Sequence, residues 1–188
     1  MIQYCNHCAH PVTLSVPPGD NRLRHCCPTC GHIQYQNPRL VVGCIAHWQD
    51  KILLCRRAIE PRMGYWTLPA GFMENNESTS AAALRETEEE AGASVCIEAP
   101  FALISLPEFD QVHLFYRGHL KSPDYEAGEE SLEVALLAET EIPWSTLAFN
   151  SVRFCLERYL SDRKSGHFNF HETTWLKAPP LLGDPPQF

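Results

Sequence analysis

Two C-x-x-C pairs, CNHC at residues 5–8 and CPTCG at 27–31, set the strongest limit on how this chain can fold. Two residues between thiolates let both sulfurs reach one tetrahedral ion, and two such pairs make a four-cysteine zinc site. Pro28 and Gly31 suit the tight turn of the second pair. A segment this short buries little core, so Zn²⁺ must supply its folding energy. The expected ligands are Cys5, Cys8, Cys27 and Cys30. Cys26, His7, His10, His25 and His32 lie nearby, but Cys27 keeps the two-residue spacing to Cys30 and Cys26 does not. Four protein ligands make such a site closed and structural rather than catalytic. Disulfides are disfavoured because MIQYCNHCAH lacks a basic run followed by an apolar stretch. A redox C-x-x-C would stand single in a βαβ setting. Cys44, Cys55, Cys96 and Cys155 stand singly among apolar neighbours and read as core residues.

With 188 residues, the chain has room for one ordinary domain beyond this module. The expected division is 1–38, 39–172, and a proline-rich tail at 173–188. A net charge of -8 argues against broad binding to nucleic acid or anionic membrane. Residues 1–38 carry Arg22 and Arg24 against Asp20, a net of +1, which is weak for tracking phosphates. No apolar run is long enough to span a bilayer, and the expected location is the cytoplasm.

RLVVGCIAHWQDKILLCRR (39–57) predicts two strands around a Gln49-Asp50 turn, and GYWTLPAG a short strand. Residues 93–105, 111–120 and 132–137 also read as extended. Val152, Cys155, Leu156 and Tyr159 mark one helical face in 151–162.

Residues 71–93, GFMENNESTSAAALRETEEEAGA, hold six carboxylates between Glu74 and Glu90, offset by Arg85 alone. Ser78 predicts an N-cap and Gly92 a stop for a helix over 78–91. At about 100° per residue, Glu90 falls roughly 40° to one side of Glu86 and Glu89 roughly 60° to the other. Leu84, Thr87 and Ala91 form a separate stripe suited to the core. Like charges one turn apart repel. A hard divalent cation bound to clustered carboxylate oxygens turns that repulsion into attraction.

Gly71, Glu77, Arg85, Glu86, Glu89, Glu90 and Gly92 stand at the seven fixed positions of the Nudix box. Thr87 and Ala93 replace its larger aliphatic residues. The chain thus resembles the Nudix hydrolases, and residues 1–38 resemble a zinc ribbon with Ala9 where ribbons often carry glycine. The resemblance implies an α/β fold: an α/β/α sandwich with a mixed sheet, preceded by a small four-cysteine ribbon. It implies Mg²⁺ or Mn²⁺ on Glu86, Glu89, Glu90 and the carbonyl of Ala70, with Arg85 orienting the glutamates and Glu77 beside them. It also implies hydrolysis of a nucleoside diphosphate linked to another group. Glu130 and Glu133 are the candidates for a carboxylate base on a later loop, with Glu129 beside them.

NADH pyrophosphatases combine the same two modules, but their Ser-Gln-Pro-Trp-Pro-Phe-Pro signature is absent from SLPEFDQVH (105–113). QVHLFYRGHLKSP, GEESLEVALLAETEIPWSTLAFNSV and SGHFNFH resemble plant chloroplast Nudix hydrolases acting on FAD and ADP-ribose. That implies FAD cleaved to FMN and AMP, or ADP-ribose to AMP and ribose 5-phosphate. The alternatives are an NADH pyrophosphatase or a non-catalytic nucleotide sensor. Arg56, Arg57 and Arg62 are expected to meet the diphosphate, and Phe109, Phe115 or Tyr116 to stack on a ring. The partner is a small nucleotide. Relatives that dimerise suggest a homodimer, for which the sequence shows no interface.

Overall fold

The structure, a computed structural model, describes residues 2–177. The described residues fall into two compact units, divided between Asn37 and Pro38. The first is a three-stranded antiparallel sheet of β1 (Thr13–Ser15), β2 (Arg24–Cys26) and β3 (Ile33–Gln34). Among its described residues Cys5, Cys27 and Pro17 are the buried apolar side chains, so the cysteine site makes up most of its core. The two knuckles share one backbone pattern. Ala9 N–H donates to the Cys5 carbonyl at 2.8 Å, and Gly31 N–H to that of Cys27 at 2.9 Å. Both donors are left-handed, with φ of 60° at Ala9 and 73° at Gly31. Alanine reaches that region only against Cβ strain.

The second unit is a mixed sheet between two helices. Its strands are β4 (Arg39–Trp48), β5 (Lys51–Arg57), β6 (Trp66–Thr67), β7 (Ala70–Phe72), β8 (Val95–Leu106), β9 (Gln111–Leu120), β10 (Ser131–Leu137) and β11 (His171–Thr174). The order is β10-β5-β4-β9-β8-β11, with β6 on β5 and β7 on β4. β4 with β9 and β8 with β11 are parallel, the other pairs antiparallel. Side chains alternate across a strand. Val42, Cys44 and Ala46 of β4 therefore pack with Ala82, Ala83 and Ala91 of α1 (Thr79–Ala91). Ile45 points the other way and packs with Val152, Cys155, Leu156 and Tyr159 of α2 (Asn150–Ser165). This is the α/β/α sandwich that the resemblance implies.

Three details correct the sequence reading. The tail boundary at 172/173 falls inside β11, which adds a parallel edge strand beside β8; residues 178–188 of that tail lie outside the described residues. Cys96 is half-buried, unlike buried Cys44, Cys55 and Cys155. Leu84 is 38% exposed, because α1 turns Ala82, Ala83, Glu86, Thr87, Glu90 and Ala91 inward and leaves Leu84 outside this arc. The buried face thus runs through the glutamate stripe rather than beside it.

Candidate active site

α1 begins and ends where its side chains dictate. Ser78 Oγ accepts from the Ala81 amide at 3.1 Å, and Gly92, at φ 57°, sends its N–H back to the Glu88 carbonyl at 2.8 Å. Thr87 is buried, and its hydroxyl donates to the Ala83 carbonyl at 2.7 Å, so the polar atom is satisfied without a partner outside the helix. Alanines on the inner face let α1 lie close to the sheet. β7 brings Gly71 directly beneath Glu86, where a Cβ would fall 2.3 Å from a carboxylate oxygen. A side chain at 71 would therefore have to push the Glu86 carboxylate off its bond to Arg85.

Arg85 organises the acidic face. Its guanidinium donates to Glu77 twice, at 3.1 and 2.9 Å, to Glu86 at 2.8 Å and to Glu89 at 2.9 Å. A further bond, at 3.2 Å, reaches the Phe72 carbonyl. A planar five-donor fork can serve that many acceptors, which lysine cannot. Glu77 also accepts from the Glu74 amide at 2.6 Å. Hydrogen bonds from Arg85 and then from Glu74 hold Glu77 below the usual carboxylate range.

The three expected metal carboxylates differ in setting. Glu86 and Glu90 are 8% and 7% exposed, while Glu89 is exposed. Burial pushes Glu90 up to about 8, against the opposing bond from the Ala70 amide at 3.3 Å. Burial also raises Glu86, although Arg85 works against it. Charged Glu130 raises both further, and Arg57 offsets part of the effect at Glu90. Two buried oxygen donors with raised affinity for a proton form a site suited to a hard divalent cation.

The cysteine site is of another kind. Sγ atoms of Cys5 and Cys30 lie 3.7 Å apart, and those of Cys8 and Cys27 3.5 Å. A tetrahedron of 2.3 Å Zn–S bonds has edges of about 3.8 Å. Among the described residues, these four form the one group of three or more His, Cys, Asp or Glu with ligand atoms within 4.8 Å of one another. Glu86, Glu89 and Glu90 do not converge so tightly. Arg85 draws Glu86 and Glu89, and the Ala70 amide holds Glu90.

The other expected site residues fall around this face unevenly. Arg57 reaches Glu90 electrostatically, bonds the Pro61 carbonyl at 2.8 Å and lies over the Phe149 ring. Arg56 is turned to Glu133 at 3.6 Å and to the Gly64 carbonyl at 3.0 Å. Arg62 lies over the Tyr65 ring. Glu130 acts on both buried glutamates, whereas Glu133 is paired with Arg56. Two of the expected stacking rings are corrected. Phe115 is 1% exposed within the α2-side core, and Tyr116 is buried with its hydroxyl 2.6 Å from that of Thr79. Strand alternation turns both inward. Phe109 remains exposed. Phe149, under Arg57, escaped sequence reasoning because a lone aromatic before a helix carries no pattern.

Known proteins share this architecture. A Nudix N-terminal zinc-ribbon model matches residues 3–36, and the NUDIX domain model matches residues 37–148. The crystal structure of a NUDIX hydrolase from Nitrosomonas europaea superposes with a TM-score of 0.88 at 46% identity, covering 93% of this chain and 100% of that one. The ADP-ribose pyrophosphatase of Methanocaldococcus jannaschii is 30% identical over 62% of this chain and 70% of its own length. The NAD-capped RNA hydrolase NudC of Chromobacterium violaceum is 34% identical over 50% of this chain, a match spanning 33% of that protein. The chain belongs to the Nudix hydrolase family, with the zinc-ribbon module of that family at its N-terminus.

Proposed function

We propose that this enzyme hydrolyses the diphosphate of a dinucleotide-type small molecule, with ADP-ribose and FAD as its substrates. The reading rests on one observation above others: Arg85 binds Glu77, Glu86 and Glu89 at once beside buried Glu90. A solvated helix face has no need of such an arrangement. The name of the Methanocaldococcus jannaschii relative supports ADP-ribose; the sequence resemblance supports FAD.

Glu86, Glu89, Glu90 and the Ala70 carbonyl would hold Mg²⁺ or Mn²⁺. Bound there, the ion supplies charge neutralisation of the diphosphate and a more acidic water. Arg85 positions the glutamates. Water attacks one phosphorus as the bridging P–O bond breaks, and a carboxylate takes the water's proton. We assign Glu130 as the base, since its charge acts on Glu86 and Glu90 while Glu133 is engaged by Arg56. Arg57 is the arginine best placed to meet the diphosphate charge. Zn²⁺ on Cys5, Cys8, Cys27 and Cys30 is structural.

The test is incubation with Mg²⁺ and ADP-ribose, FAD or NADH, with products resolved by chromatography, beside a Glu90→Gln variant. AMP with ribose 5-phosphate, and FMN with AMP, are expected from the parent and not from the variant. Turnover of NADH with the other two untouched would overturn the substrate assignment. No turnover, with ligands still bound, would mark a nucleotide-sensing domain.

A further inference from the structure

The loop of residues 121–130, between β9 and β10, grips the C-terminal end of α1 through its backbone. Glu126 N–H donates to the Ala91 carbonyl at 2.8 Å, and Gly128 N–H to the Glu90 carbonyl at 3.1 Å. Ser131 N–H then bonds the Gly128 carbonyl at 3.0 Å, and the Glu130 carbonyl accepts from Ala58 N–H at 2.8 Å. A continuous run of backbone bonds therefore connects Glu90 to Glu130. Gly128 is the point of closest approach. A Cβ there would fall 1.7 Å from the Glu89 carbonyl oxygen, 2.9 Å from its carbon and 3.3 Å from the Glu90 Cα. All three are helix backbone atoms, which cannot swing aside as a side-chain end can. Gly128 is not among the positive-φ glycines, so its requirement is one of space rather than of dihedral angle.

We propose that Gly128 is a positioning residue of the hydrolytic centre: its bare Cα, passing over the Glu89 carbonyl, lets the loop clamp onto the carbonyls of Glu90 and Ala91 and so fixes Glu130 against the glutamate face. The inference rests on the proposed function for its catalytic consequence and on geometry for the clamp. Any side chain at 128 lifts the loop and carries Glu130 away from Glu90. A misplacement of about 1 Å can cost roughly 100-fold in rate.

The experiment uses the zinc-loaded full chain and compares Gly128→Ala, Glu130→Gln, the double variant and Gly166→Ala. Gly166, at φ 73° past the end of α2 with nothing near its absent Cβ, reports backbone strain alone. The expected result for Gly128→Ala is a fall in kcat on ADP-ribose of about 100-fold with KM little changed. Gly166→Ala should keep its kcat whatever its loss of Tm. The double variant should lose no more than Glu130→Gln, because both act through one group. Amide exchange should rise across 124–131 in Gly128→Ala while α1 stays protected. A kcat within twofold of the parent, or independent multiplicative losses in the double variant, would overturn the proposal. If the parent turns over no diphosphate, the proposed function and the catalytic role of Gly128 both fall. Unchanged exchange at 124–131 would overturn the clamp itself.

Discussion

The cysteine site and the glutamate face both gather like-charged metal donors, yet they are built in opposite ways. The four sulfurs already stand at the spacing of a zinc tetrahedron, and the small sheet around them buries little else among its described residues. The glutamates sit on a helix whose own packing is secure, and an arginine takes up the charge of two of them, Glu86 and Glu89, and of Glu77 just before the helix. A metal that replaces a core needs a closed shell. A metal that works on substrate needs donors held apart and positioned from behind.

Removal of zinc should break this contrast most visibly. A chelator strong enough to strip the cysteines, or Cys27→Ser, should unfold residues 1–37, since structural zinc supplies on the order of 10 kcal/mol in small modules. The α/β/α unit, with its own two apolar clusters, should keep its circular dichroism transition. Removal of a donor from the helix should do the reverse. Glu86→Gln is expected to lower kcat on the order of 10³-fold, the equivalent of several kcal/mol of lost charge stabilisation. Its melting temperature should stay near that of the parent. Arg85→Lys sharpens the same point. The charge survives, but three carboxylates lose a shared fork, and kcat should fall about 10- to 100-fold in steady-state assays.

The sequence made much of this legible, for reasons that differ by element. The caps and composition of α1 are local signals, and Ser78 and Gly92 act where they were expected. The cysteine pairs are legible because ligand spacing is itself the geometry. Leu84 misled because its helical phase alone does not reveal how closely alanines let α1 approach the sheet. β11 was missed because HETT has no alternation of apolar residues; it is held by Asp162, whose carboxylate accepts from the Asn169 amide and pairs with His171, each at 2.8 Å. Gly128 left no trace, since a glycine in an acidic loop announces nothing about the backbone it touches.

Smaller effects refine the comparison. Burial alone would raise Asp162, but the Asn169 amide and His171 outweigh it and hold the carboxyl below its ordinary 3.8. A lowered folded pKa stabilises above the unfolded value and is lost as pH falls through the folded one. Asp162→Asn should therefore cost about 1–2 kcal/mol near neutral pH in urea unfolding. That cost should shrink below pH 4, where the parent loses the same contribution. In the ribbon, Ala9→Gly should relieve the left-handed strain absent at Gly31 and slow zinc loss to a chelator by a few-fold.

The most direct test of the central claim is Mn²⁺ binding to the zinc-loaded chain, followed by electron paramagnetic resonance of the free ion. The account predicts saturable binding by the parent and a loss of at least about tenfold in affinity in Glu90→Gln, with the four cysteines still holding zinc. Equal Mn²⁺ affinity in parent and variant would contradict the assignment of the glutamate helix as the hydrolytic metal centre.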